Sequence, residues 1–188
     1  MTLLHSLVRY YDRIGATGAV APPGHSSEKI SFALVLAPDG TVVDVNDLRD
    51  HFGKTPRPKS LYVPQRVKRA FGIAANFLWD KTSYVLGRSA TSKRAADEHS
   101  AFKALHEQLL AGSDDEGLVA LLAFLRAWEP KRYDALRYAD EMLDQNVVFT
   151  LDGKTGYLHE RPAAKRIWAE HLGAGDGARG FCLVTGEE

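Results

Sequence analysis

Cysteine is almost missing from this chain, with Cys182 the only one in 188 residues. One thiol excludes an intramolecular disulfide and every zinc pattern built on several cysteines, and it suits a reducing, cytoplasmic compartment. Net charge is missing too, because 24 Lys and Arg balance 24 Asp and Glu. No apolar run approaches the roughly 18 residues that a membrane helix needs, so no membrane association is expected. The first residues carry neither a basic leader nor a small-residue cleavage site, which argues against a signal peptide. With 45% hydrophobic and 26% charged residues, the balance is that of a soluble globular protein of one domain spanning 1–188.

Signatures of common chemistry are also lacking. Gly24-His25-Ser26-Ser27-Glu28 starts like a nucleophile elbow but breaks at its last position, and no phosphate-binding lysine loop occurs. Gly175-Asp176-Gly177-Ala178-Arg179-Gly180 has the spacing of a dinucleotide fingerprint. It is expected to follow a helix and precede a strand, the reverse of the order that aims a helix N-terminus at a pyrophosphate. His106 and Glu107 open like a zinc-protease helix, but Leu110 stands where the second histidine is required. His99 and His106 are separated by about 10 Å of helical rise, too far to share one metal directly. Asp114, Asp115 and Glu116 are accounted for by charge complementarity at a helix start, and Cys182 by packing in an apolar strand. The expectation is a binding protein without a catalytic site, metal or cofactor.

What the chain does have is sorted charge. Residues 51–79 contain Lys54, Arg57, Lys59, Arg66, Lys68 and Arg69 and no acidic residue, interleaved with proline, glycine and aromatics. A segregated basic segment with aromatic and amide neighbours is the electrostatic footprint of a nucleic-acid contact. The competing reading is a solvated face whose countercharges come from elsewhere, with Asp44, Asp47, Asp50 and Asp80 as candidate partners.

Apolar spacing predicts a first helix from about Thr2, as N-cap, to about Arg13, stopped by Gly15 and Gly18. Strands over 30–36 and 41–45 flank the turn Ala37-Pro38-Asp39-Gly40 and predict a hairpin. Proline keeps the basic segment extended, with short strands expected at 61–63 and 83–86. Helices follow over 95–110, from a Ser113–Glu116 capping box to Trp128, from Pro130 to Asn146, and from Pro162 to about Leu172. Strands are expected at 147–151, 155–158 and 181–185. Strands, then helices, then strands, without regular alternation, point to an α+β fold with an antiparallel or mixed sheet and a mainly helical second half.

Several collinear stretches together resemble one family, the large subunit of the type I-C (Dvulg subtype) CRISPR Cascade surveillance complex. They are Ala21-Pro22-Pro23-Gly24-His25-Ser26-Ser27-Glu28-Lys29-Ile30-Ser31-Phe32, then Asp47-Leu48-Arg49, then Gly53-Lys54-Thr55-Pro56-Arg57-Pro58. Gly72-Ile73-Ala74-Ala75-Asn76-Phe77-Leu78-Trp79-Asp80, Tyr84-Val85-Leu86-Gly87 and Cys182-Leu183-Val184-Thr185-Gly186 complete the set. Full members are longer, so the chain is expected to correspond to the N-terminal portion of such a subunit. The resemblance implies a domain that inspects invading double-stranded DNA for a short flanking motif, the PAM, while guide RNA reads the rest. It also implies guide-RNA contact at the 5′ handle and partnership with the guide-processing and backbone Cascade subunits and a recruited helicase–nuclease.

On this reading the six cations of residues 51–79 are the candidate phosphate contacts. Asn76 is the candidate for a base edge, because an amide presents a donor and an acceptor on one plane, and Gln65 is the second such amide. Asn76 has an alternative use as the cap of a helix begun by Phe77. Two rival functions stay open: a scaffold that docks on guide-RNA-binding subunits, and a hydrolase using His5, His25 or His51 with nearby carboxylates.

Overall fold

A computed structural model describes residues 3–18, 20–69 and 72–174. The expected N-cap Thr2, the glycine loop 175–180, the strand 181–185 and Cys182 lie outside the described residues. The architecture is α+β. Its order is α1 (Leu3–Ala16), β1 (His25–Ile30), β2 (Phe32–Leu36), β3 (Val42–Asp47), β4 (Lys59–Pro64), β5 (Asp80–Lys81) and α2 (Thr82–Val85). There follow α3 (Ala95–Leu110), α4 (Glu116–Ala127), a 3-10 turn at Pro130–Ala135, α5 (Ala139–Met142), β6 (Asn146–Leu151), a 3-10 turn at Leu158–Glu160, and α6 (Pro162–Gly173).

The main sheet is mixed, with order β3-β2-β6-β5; β2 pairs antiparallel with β3 and parallel with β6. β2 reads as an unbroken apolar run because both of its faces are covered. Phe32, Leu34 and Leu36 point into the larger core with Val147, Phe149 and Leu151 of β6, against Phe102 of α3 and Leu118, Leu121 and Leu125 of α4. Ala33 and Val148 point the other way, into a smaller core with Ile30, Val63 and Trp79. The two-residue period of the strand thus divides one sequence between two cores. The smaller core lies beneath an antiparallel ribbon of β1 and β4, in which His25 faces Pro64 and Ile30 faces Lys59. At Ser31 the chain bends from ribbon to sheet, its N–H donating to the Asn146 carbonyl (3.0 Å) and its carbonyl accepting from Leu48 N–H (2.9 Å). β1 was not foreseen, because its run of His25, Ser26, Ser27, Glu28 and Lys29 is polar and only half buried.

The hairpin, the strand at β4, the helices α3, α4 and α6 and the strand β6 form where the periodicity puts them. α1 continues through Gly15, and Gly18 follows it with φ 70°. Four expectations fail. Residues 83–85 belong to helix α2 instead of a strand, with Leu86 as its C-cap: Thr82 to Val85 are all buried, and Leu86 N–H closes the turn on the Thr82 carbonyl at 2.8 Å. The cap of α4 is Asp115, whose Oδ1 accepts from the N–H groups of Gly117 and Leu118, while Ser113 Oγ accepts from Asp115 N–H one step earlier. The long helix from Pro130 to Asn146 is broken, because Leu136 is extended and Tyr138 is left-handed (φ 61°). Tyr133 Oη donates to the Ala139 carbonyl at 2.7 Å and holds that break in place. Residues 155–158 do not return as a strand; Gly153 (φ 68°) and Gly156 (φ 85°) turn the chain twice, into the 3-10 turn that buries Leu158 and His159.

Gly40 ties the hairpin to the helical layer. It has φ 86°, and a Cβ there would fall 2.3 Å from the backbone nitrogen of Phe124 in α4. Gly153 has φ 68° with nothing near its missing Cβ. Gly40→Ala should therefore lose about 3 kcal/mol in chemical denaturation, combining backbone strain with forced separation of hairpin and helix. Gly153→Ala should lose only about 1 kcal/mol, from backbone strain alone.

Candidate nucleic-acid interface

The basic segment enters through β4 and leaves through β5, and its return is pinned by buried polar groups. Asp80 is 1% exposed; its Oδ2 accepts from Asn76 N–H at 2.9 Å and from the Arg69 guanidinium, and its Oδ1 accepts from Lys81 N–H at 2.9 Å. Burial pushes the Asp80 carboxyl up, and Arg69 with the backbone N–H groups pulls against it. Arg69 also donates through Nε to the Ala74 carbonyl at 2.6 Å and lies 4.0 Å over the Tyr84 ring. Leu78 takes the left-handed conformation (φ 62°), and its N–H donates to His106 Nε2 at 2.9 Å. His106 Nδ1 donates in turn to the Phe102 carbonyl at 2.7 Å, which fixes the neutral tautomer that the loop requires. Trp79 Nε1 donates to the Pro64 carbonyl at 2.8 Å, closing the loop onto β4.

Asn76, the candidate for a base edge, is turned inward. It is 3% exposed, and its Oδ1 accepts from Val67 N–H at 2.9 Å, stapling one arm of the loop to the other. It does not cap a helix, since residues 77–79 are bends and coil and the next helix is α2. Gln65 is exposed, with its backbone N–H bonded to the Gly24 carbonyl. Arg69 is a brace for Asp80 and Tyr84, and its guanidinium is not left for a phosphate. Lys54, Arg57, Lys59, Arg66 and Lys68 are exposed, and no ion pair among the described residues uses them.

Of the acidic candidates Asp80 takes Arg69, and the side chains of the other three go elsewhere. Asp44 meets Arg137 at 3.5 Å, and Asp47 takes Arg49 through two bonds of 2.8 and 2.6 Å, which lowers its carboxyl to about 2. Asp50 Oδ1 accepts from Phe52 N–H, and Asp50 meets Arg57 only through backbone bonds of 2.8 and 2.9 Å. The free cations form two groups at opposite ends of β4, roughly 17 Å apart along the strand. Lys54, Arg57 and Lys59 lie before or at its start; Arg66 and Lys68 follow its end.

The second group opens onto a groove of about 330 Å³ whose lining includes Arg66, Lys68, Arg69, Asn76 and Lys81 together with the carboxylates Glu28 and Asp80. Lys81 was not singled out from sequence, because it follows Asp80 and lies outside the acid-free stretch; only the pairing of β5 with β6 brings it to the groove. The three histidines considered for hydrolysis sit apart in sequence, on α1, at the start of β1 and in the loop after β3. His51 Nε2 lies 3.1 Å from Asp47 Oδ2.

The described structure is thus an α+β domain whose β-ribbon and pinned return loop carry two groups of cations that no ion pair among the described residues uses. Residues 7–188 match the family model for CRISPR-associated protein (Cas_Csd1), and the chain belongs to that family. No curated protein matches the chain.

Arg69→Ala leaves Asp80 buried without its cation and should destabilise the domain by about 3–5 kcal/mol in denaturant melts. Acid should act through two histidines. Burial lowers His106 from 6.5 to about 4, and burial, with His25 and Lys165 nearby, lowers His159 to about 4 as well. Neutral histidine favours the fold, so this stability is complete above pH 6.5 and is lost as pH falls through about 4. The loss should be on the order of 3 kcal/mol per residue. His159→Phe, which keeps a ring against Tyr157, should remove its share and lower the pH midpoint of acid unfolding.

Proposed function

We propose that this domain is the non-catalytic, PAM-inspecting part of a type I-C Cascade large subunit, gripping the backbone of invading duplex DNA in the cytoplasm so that guide RNA can pair beside it. The observation that carries the reading is the set of five exposed, unpaired cations on residues 51–69, whose acidic neighbours are bonded elsewhere. Family membership supports the CRISPR setting. Lys54, Arg57, Lys59, Arg66 and Lys68 neutralise phosphates, and Arg69 holds the loop that presents them. Gln65, the exposed amide beside Arg66, is the better placed of the two amides for a base edge. Asn76 contributes by fixing the arm on which Lys68 is carried. The partners on this reading are the PAM-bearing duplex, the guide RNA, the guide-processing and backbone subunits and the recruited helicase–nuclease.

A second reading, docking on the guide-RNA 5′ handle and neighbouring subunits, is favoured by α1. That helix leaves Leu3 77%, Leu7 52% and Tyr10 52% exposed. A gel shift of the assembled complex with PAM-bearing duplex against handle RNA separates the two readings.

Charge reversal at Lys54, Arg57 and Lys59 should weaken duplex binding by the assembled complex whatever the PAM. The log–log salt slope should flatten by roughly 0.9 per lost phosphate contact. An unchanged slope would assign these residues to solvent or to other subunits.

A further inference from the structure

A second cleft, of about 250 Å³, adjoins the basic groove, and Arg69 and Lys81 line both. Its wall comes from α2, the loop between α2 and α3, the first turn of α3 and Asp144. The Asp144 carboxylate is occupied: it accepts from Ser89 Oγ, from Ala90 N–H at 3.2 Å and from Thr91 Oγ1 at 3.2 Å. Glu98 is not. Its Oε1 accepts from Ser92 Oγ at 2.9 Å, whereas Oε2 is buried with no hydrogen-bond partner, in a residue that is only 7% exposed. A buried acceptor in this condition calls for a donor. Lys81 and Arg94 at the rim are exposed, and no ion pair among the described residues uses them. The Arg69 guanidinium, its central carbon 4.0 Å from the centroid of the Tyr84 ring, supplies a cationic wall.

An acceptor inside, cations at the mouth and a plane between them complement one nucleotide: amino group inward, phosphate outward, ring against the guanidinium. The volume lies below the roughly 300–1,000 Å³ usual for drug-sized ligands, which suits one base and not a base pair. We propose that this cleft takes a single unpaired nucleotide from the bound nucleic acid and selects amino-bearing bases over thymine through Glu98. The inference rests on the nucleic-acid reading above and names a subsite within it.

The test uses the 188-residue chain and fluorescence anisotropy with blunt hairpin duplexes and with the same hairpins carrying single-stranded tails of dC, dA or dT. Tails of dC and dA should bind about tenfold more tightly than dT, the scale of one hydrogen bond to a charged acceptor. Glu98→Leu, which removes the acceptor, should erase that difference and leave affinity for the blunt duplex unchanged. Lys81→Gln should weaken every tailed substrate alike. Equal affinity of the unaltered chain for all tails, with blunt duplex still bound, would overturn the cleft proposal and leave the duplex reading standing. A tail preference that survives in a folded Glu98→Leu chain would also overturn it. Failure to bind any of these nucleic acids would overturn both. The unaltered chain's tail preference decides the matter even where a variant does not fold.

Discussion

The Asp80 carboxylate gathers the Arg69 guanidinium and the N–H groups of Asn76 and Lys81 at a position that is 1% exposed. A charge so buried is tolerable only while those donors stay in place, so the ends of the loop cannot separate without large cost. The Asn76 amide then passes the constraint to Val67, and Trp79 passes it to Pro64. His106 and Leu78 anchor the same loop to α3 from beneath. Arg66 and Lys68 are presented from a fixed arm, although proline and glycine spacing alone would leave that arm free.

The division of the interior into two cores explains why the basic face exists where it does. β2 and β6 send alternate side chains to the helices and to the ribbon, so the ribbon covers the sheet and turns the polar edge of β4 outward. The acids that could neutralise that edge are consumed locally. Asp47 clamps Arg49, whose guanidinium lies 4.5 Å over Phe32, and Asp44 reaches across to Arg137. The free cations are therefore a product of where the carboxylates are bonded as much as of where the lysines and arginines stand.

Strong periodicity was legible wherever one element faced one core. α3, α4, α6 and β6 follow their apolar spacing, and Pro38, Asp39 and Gly40 announce the hairpin by turn chemistry. Reading failed where two elements compete for the same residues. Tyr84, Val85 and Leu86 have strand-forming side chains, yet complete burial beneath α3 removes the alternation a strand would need. β1 is polar in sequence because one of its faces stays partly wet, and only β4 across from it makes it a strand. At the candidate site, the acid-free run was visible by charge alone. The spending of Arg69 on Asp80 could be named only among several pairings, and the arrival of Lys81 in the groove was hidden.

Composition and spacing by themselves determined the α+β class, the main helices, the hairpin and the segregation of positive charge into residues 51–69, because these depend on neighbours within a few residues. Tertiary structure decided which cations stay free, that Asn76 faces inward as a staple, and that Glu98 retains an unpaired oxygen beside a cationic rim. Those outcomes depend on burial and on partners distant in the chain. A carboxylate at position 80 acquires its meaning only when β5 pairs with β6 and closes the loop around it.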